Sequence, residues 1–374
     1  MTRQPVIWVA QQQQLDTLCQ KWKQCPLLAV DTEFMRTSTF YPEPALLQIN
    51  DGQANYLIDP LAIANYSAFI EVMVSPSVQK VLHSCSEDLD VFNTLLKCLP
   101  VNLMDTQVAA AFCGYGFSMG YGNLVQAILG VELPKGETRS NWLQRPLTPA
   151  QNSYAALDVE HLFEVASILN RQLDQNKRMA WVEEECDLLL QNYWETQNPD
   201  NAINRFKSAW RLDSRQLATL IELAKWRDLQ AQKRNVPRSY IVKDKSLLNI
   251  AEILPDHVGQ LRKVVELADK TIRRYGESII ERVAAVSAVA ECDLPQRWPR
   301  PPSSKQQVVI KQMRESLAEL AAKNQLAPEY LARKKDFEYI VRAHADGKLG
   351  EDLFPESLQG WRASLVKPEI LTLL

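Results

Sequence analysis

Leu27-Leu28-Ala29-Val30-Asp31-Thr32-Glu33-Phe34 reads as an apolar strand that ends in two acids. Successive side chains of an extended chain alternate faces, so Asp31 and Glu33 project to one side and Thr32 to the other. Two like charges held together repel, and partial burial raises the cost further unless something neutralises them. A divalent cation does this well, because hard oxygen ligands are what Mg2+ and Mn2+ prefer. An isolated Asp-x-Glu is more often a strand end facing water, so the surroundings have to decide.

Outward from this stretch, the first ~200 residues alternate strand-like and helix-like segments, the α/β pattern. Ala45–Ile49 and Tyr56–Ile58 are strand candidates separated by the turn signal Asn50-Asp51-Gly52. Three strands so closely spaced predict a mixed sheet with an antiparallel portion. Val81-Leu82-His83 and Asn102-Leu103-Met104 read as two more strands. Ser84-Cys85-Ser86-Glu87 has the form of a capping box and sets Glu87 and Asp88 in a first helical turn. Thr148-Pro149-Ala150-Gln151 combines an N-cap threonine, a proline at the first helical position and a glutamine three residues on. The helix it opens is predicted to run past Leu169.

At 374 residues the chain is too long for one ordinary core. Thr196–Asn204 is polar and reads as a linker, after which only short amphipathic helices are expected. A second break, Asp293–Lys305, holds four prolines and reads as a stiff connector. The net charge of −3 hides a split: residues 1–205 carry 13 Lys+Arg against 23 Asp+Glu, and residues 206–374 carry 29 against 22. A basic module holding a polyanion is one reading of that asymmetry, and ordinary surface variation is the other. No run approaches the ~18 apolar residues of a membrane span. The start, Met1-Thr2-Arg3-Gln4-Pro5, does not have the form of a signal peptide. Seven scattered cysteines with no Cys-x-x-Cys pair argue against a disulfide framework or zinc site and for a reducing cytoplasm.

Further acids extend the first pair. Tyr154 and Asp158 are four apart on the well-capped helix and share a face. A phenol beside a carboxylate can orient a water molecule. Asp88 sits in a first helical turn, where the helix dipole already favours a carboxylate. Glu87 and Asp90 are rivals in the same segment, and chemistry alone does not choose among the three. Phosphoryl hydrolysis with two metal ions needs several carboxylates around ions about 4 Å apart.

These residues carry a resemblance. Asp31-Thr32-Glu33-Phe34, the His83…Asp88 segment with Phe92, and Tyr154-Ala155-Ala156-Leu157-Asp158 resemble the three exonuclease motifs of the DEDD superfamily. The tyrosine four before the last aspartate matches its DEDDy branch. The chain is similar, along essentially its whole length, to the bacterial ribonuclease D family, including Trp142-Leu143-Gln144-Arg145-Pro146-Leu147. It departs at Asn141, where relatives often carry Asp. The resemblance implies a 3′→5′ exoribonuclease domain over residues 1–200, a ribonuclease H-like mixed α/β sheet with flanking helices. Two small all-α domains would follow it. By the same resemblance Asp31, Glu33 and Asp158 would hold a first Mg2+ or Mn2+ ion with the attacking water. Asp31 and Asp88 would bound a second ion, and Tyr154 would position the water. His83 reads as a structural histidine more readily than as a substrate contact.

Residues 209–290 resemble the HRDC domain through Leu223-Ala224-Lys225-Trp226-Arg227, Asn235-Val236-Pro237, Ile241, Asp244 and Leu248-x-Ile250-Ala251. Residues 306–374 resemble a second, divergent copy. Lys233, Arg234, Arg238, Lys270, Arg273 and Arg274 are candidate phosphate contacts, as is the Arg333-Lys334-Lys335 run. The expected partner is RNA, tRNA precursors above all, with no membrane, and the expected protein is a cytoplasmic monomer. A DNA 3′→5′ exonuclease in repair would use the same five residues, and a non-catalytic binding protein with a decayed site is the third reading.

Overall fold

A computed structural model describes residues 4–133, 137 and 140–374; the first three residues of the start discussed above lie outside them. Six strands form one sheet: β1 (Val6–Val9), β2 (Leu27–Met35), β3 (Glu43–Asn50), β4 (Asn55–Ile58), β5 (Gln79–Leu82) and β6 (Leu103–Asp105), in the order β1-β4-β3-β2-β5-β6. β3 and β4 pair antiparallel, whereas β1–β4, β2–β5 and β5–β6 are parallel. This is the mixed sheet expected from the short Asn50-Asp51-Gly52 connection, which allows only a hairpin.

Around it run α1 (Gln12–Trp22), α2 (Ser67–Met73), α3 (Ser86–Leu96), α4 (Thr106–Phe112), α5 (Tyr121–Leu129), α6 (Pro149–Asn176) and α7 (Met179–Gln197). The remainder is helical: α8 (Ser214–Arg234), α9 (Arg238–Ile241), α10 (Asp244–Ile253), α11 (Asp269–Ser287), α12 (Ser304–Lys323), α13 (Pro328–Leu331), α14 (Lys334–Ala345) and α15 (Ala363–Leu371), with short 3-10 turns between them.

The Thr148 capping box forms as the sequence predicts. Thr148 Oγ1 accepts from the Gln151 N–H at 3.1 Å, and Gln151 Oε1 accepts from the Thr148 N–H at 2.9 Å. The Ser84 box does not form. Ser84 is left-handed, with φ 57°, and α3 starts at Ser86 behind Cys85 with no side-chain cap. The Asp105 carboxylate instead holds the turn that leads into α3, accepting from the Ser84, Cys85 and Gln107 N–H groups at 2.8–3.0 Å. Glu87 and Asp88 still fall in the first turn.

The chain divides into two compact units, both discontinuous in sequence. The first holds residues 1–35, 44–190 and 301–374; the second holds 36–43 and 191–300. In the first, the C-terminal helices share one core with the sheet and its helices. Phe112 meets Tyr330 and Trp361 with ring centroids 4.9 and 5.2 Å apart, and Trp181 stacks on Trp361 at 4.8 Å. Beside these rings, the buried carboxylate of Glu185 accepts from Trp361 Nε1 at 2.9 Å and pairs with Arg362 at 2.6 Å. The unit boundary near 300 falls inside the Asp293–Lys305 connector, but the other falls at 190/191 within α7. Thr196–Asn204 is therefore no linker: Ala202 and Ile203 pack into the core of the second unit, while residues 306–374 pack into the core of the first.

In the second unit, Leu223, Ala224, Trp226, Ile241, Ile250 and Ala251 are core. Asn235 ends α8 in the left-handed conformation, with φ 48°, and its Oδ1 accepts from the Phe40 and Tyr41 N–H groups at 3.0 Å each.

Glu185→Ala leaves the buried Arg362 guanidinium unpaired and is expected to destabilise the first unit by about 3–5 kcal/mol. Urea unfolding measures this. The double variant Glu185→Leu/Arg362→Met should recover most of the loss, since the pair's value lies in mutual compensation of buried charge.

Candidate active site

β2 is apolar and buried through Val30, then turns partly exposed at Asp31 and Glu33. Helix α6 packs against it, bringing Tyr154 and Asp158 to the acids, and α3 brings Asp88. Asp88 is the buried member of its segment, 8% exposed, while Glu87 is exposed. Of the three acids that chemistry alone left open, Asp88 is the buried one, and the charge of Asp31 helps to raise its carboxyl.

Electrostatics tie the five groups together. Burial pushes the Asp31 carboxyl up to about 7, opposed by a hydrogen bond from the Thr32 backbone. Glu33 is pushed up to about 9 by burial, then by the charges of Asp31, Asp158 and Asp88. Asp88 and Asp158 are both raised well above the carboxylate range by burial and by Asp31. The Tyr154 phenol is raised by burial, by Asp158, Glu33 and Asp31, and it hydrogen-bonds Asp158.

Such a group of partly desolvated acids fits a divalent cation by its donor chemistry, because only hard oxygens are offered. Among the described residues no three acidic, histidine or cysteine side chains are placed closely enough to hold a metal ion as they stand.

Several other residues support the acids and the tyrosine. Thr32 was expected to turn away from the acids, yet its hydroxyl donates to Asp88 Oδ1 at 2.5 Å. The Tyr121 hydroxyl donates to the backbone carbonyl of Asp158. Trp142, buried, lies 6.1 Å from the Tyr154 ring, centroid to centroid. Arg145 grips Asp59 with two bonds of 2.7 and 2.8 Å. Asn141 Oδ1 accepts from the Leu143 N–H at 3.2 Å, a task an amide performs without charge. His83 Nδ1 is 2.9 Å from Thr106 Oγ1, and its ring lies 5.2 Å from that of Tyr121. Burial lowers its pKa, as for a neutral packing histidine.

Comparison with known proteins turns this geometry into a family assignment. A family model described as a 3′-5′ exonuclease matches residues 6–174, and the HRDC domain model matches 216–283. Ribonuclease D of Pseudomonas paraeruginosa is 39% identical over 377 residues, covering 100% of this chain and 99% of that protein. The chain belongs to the ribonuclease D family. Ribonuclease D of Escherichia coli is 34% identical, covering 96% of each chain. The crystal structure of Escherichia coli RNase D, titled an exoribonuclease involved in structured RNA processing, superposes with a TM-score of 0.89 at 32% identity, over 100% of this chain and 99% of that one. Membership makes this ribonuclease D relative a hydrolase of the 3′→5′ exoribonuclease type that depends on divalent metal.

The cationic residues of the second unit separate into two kinds. Arg238 donates to the buried Asp228 at 2.8 Å and lies 4.5 Å over the Phe40 ring, so its charge is used internally. Arg234, Lys270 and Arg274 line an open groove of about 620 Å³ with Val236, Thr271 and the exposed Tyr240. Arg234 and Arg274 both stand over Tyr275 in its wall. Lys233 and Arg273 are exposed outside that lining.

The raised acids have a consequence for metal-free stability. Folded protein keeps protons that the unfolded chain, with ordinary carboxyls near pH 4, releases. Stability from this source is whole below about pH 4 and is lost as pH rises through the folded values, about 7 for Asp31 and about 9 for Glu33. In EDTA, Asp31→Asn should therefore be more stable than the parent at pH 8 by about 1–3 kcal/mol, with the gap closing by pH 5. Melting curves across that range measure it, and a gap that widens towards acid would contradict the clustering.

Proposed function

We propose that this protein removes 5′-nucleoside monophosphates one at a time from the 3′-hydroxyl ends of RNA, tRNA precursors above all, using two Mg2+ or Mn2+ ions. The observation that carries the reading is the mutual electrostatic coupling of Asp31, Glu33, Asp88 and Asp158 with Tyr154 among them. Asp31, Glu33 and Asp158 would hold one ion, and Asp31 with Asp88 the other. Bound there, the ions would lower the pKa of water and offset charge on the leaving oxygen. Tyr154, hydrogen-bonded to Asp158 and with its phenol proton held firmly, would orient the attacking water by donating or accepting a hydrogen bond. Thr32 keeps Asp88 turned to the site, and Tyr121 steadies the backbone that carries Asp158.

The same reading assigns exonuclease, HRDC and divergent HRDC-like roles to residues 1–200, 209–290 and 306–374. Lys233, Arg234, Arg273 and Arg274 would grip phosphates. It also sets the protein in the cytoplasm as a monomer, where seven free thiols are at home. Among the described residues no helix is long and apolar enough to cross a membrane.

With Mg2+, the full chain is expected to shorten 3′-hydroxyl RNA with release of mononucleotides, and EDTA should stop it. Release from DNA but not from RNA under the same conditions would overturn the substrate class. Asp31→Asn and Asp158→Asn should each cut kcat at least about 100-fold with the fold intact by circular dichroism. Tyr154→Phe should lose about 100-fold while metal affinity holds. For the second unit, Lys270→Ala/Arg274→Ala is expected to flatten the log–log salt dependence of RNA binding by about 1.4. Arg238→Ala should instead lower the melting temperature with the salt slope unchanged.

A further inference from the structure

A second groove, in the first unit, has no part in the chemistry above. It encloses about 690 Å³ between the loop that follows α4 and the helices α12 to α14. Its floor is apolar, with Leu317, Ala332 and Phe337 buried. Its rim carries four cations, Lys311, Arg314, Arg333 and Lys334, against two acids, Glu315 and Glu329. Lys311 is 3.7 Å from Glu315 and Lys334 is 3.7 Å from Glu338. Arg314 and Arg333 are exposed and make no ion pair among the described residues. The sequence singled out Arg333 and Lys334 as part of a basic run, but nothing in it linked them to an aromatic from another part of the chain.

That aromatic is Phe117. It stays 51% exposed at the groove edge, although large apolar side chains usually withdraw from water. The backbone forces its presentation: Gly114, Gly116 and Ser118 all take left-handed φ values, of 87°, 99° and 55°. Its ring makes an edge contact with Tyr330, at 5.5 Å between centroids. An exposed ring over an apolar floor, bordered by unpaired guanidinium groups, matches a polymer that carries both flat apolar faces and regularly spaced anions. Unpaired polynucleotide has that composition, and a duplex hides its base faces.

The loop also connects the groove to the active site. Three residues separate Phe117 from Tyr121, at most about 14 Å of chain, and Tyr121 holds the Asp158 carbonyl. We propose that this groove binds the single-stranded stretch of RNA a few nucleotides upstream of the 3′ end. Phe117 stacks on a base, and Arg314 and Arg333 hold its phosphates. The inference rests on the exoribonuclease reading for the identity of the strand.

The test uses the full chain in EDTA, so that turnover is stopped, and a short unpaired 5′-labelled oligoribonucleotide read by fluorescence anisotropy. Phe117→Ala should weaken binding about tenfold and Phe117→Trp should retain it. Arg314→Ala/Arg333→Ala should weaken binding and flatten the salt slope by about 1.4. With Mg2+, both alanine variants should raise KM for the oligonucleotide more than for a dinucleotide, which offers the groove fewer bases and phosphates. Unchanged affinity and salt slope would overturn the proposal and leave the groove to a protein partner. Equal affinity for a blunt duplex would overturn the stacking role, and an equal loss on the dinucleotide would mean that the loop acts through Tyr121 instead. Failure of the parent to degrade any RNA would sink the functional reading, while the EDTA binding measurements would still decide the groove.

Discussion

Four carboxyl groups that would rather be apart are kept within one another's electrostatic reach. Every neighbouring element can be understood by what it contributes to that arrangement. β2 supplies two acids by simple alternation, a 28-residue helix supplies a third beside a phenol, and the first turn of α3 supplies the fourth. Burial pushes all four towards the protonated form, and the charge of neighbouring acids adds to this for Glu33, Asp88 and Asp158. The scaffold attaches two of them, and the phenol, to neighbours. Thr32 takes Asp88, Tyr121 takes the backbone at Asp158, and Trp142 backs Tyr154.

How much of this the sequence revealed depends on the range of the interaction. The β2 run, the mixed sheet and the Thr148 cap are local patterns, and each appears in the structure where the pattern puts it. The Asp31/Glu33 and Tyr154/Asp158 pairs were legible because strand alternation and helical periodicity are short-range rules. Asp88 was not, since its selection over Glu87 and Asp90 depends on which side of α3 meets β2. Asp105 was equally hidden: a carboxylate about twenty residues downstream caps a turn that its own serine seemed built to cap. Tyr121 lies in no motif and Thr32 reads from strand alternation as facing away, so only the tertiary arrangement shows what their hydroxyl groups hold.

Charge counting had a similar limit. The basic excess after residue 205 was visible, but not its division of labour. Arg227 is 1% exposed and bound to Asp244, and Arg238 is locked to Asp228. Other cations line open grooves in each unit. A formal charge in a helical region says nothing of whether a buried acid already claims it.

The shared core of the first unit has a consequence for biosynthesis. Trp181 and Glu185 emerge early from the ribosome, whereas Trp361 and Arg362, which cover and neutralise them, come about 180 residues later. At ordinary elongation rates that delay is about ten to thirty-five seconds. During it the nascent chain carries an uncovered aromatic cluster beside an uncompensated acid, a surface suited to chaperone capture. Folding of the first unit is therefore completed by helices made long after its sheet, once the whole second unit has been synthesised between them.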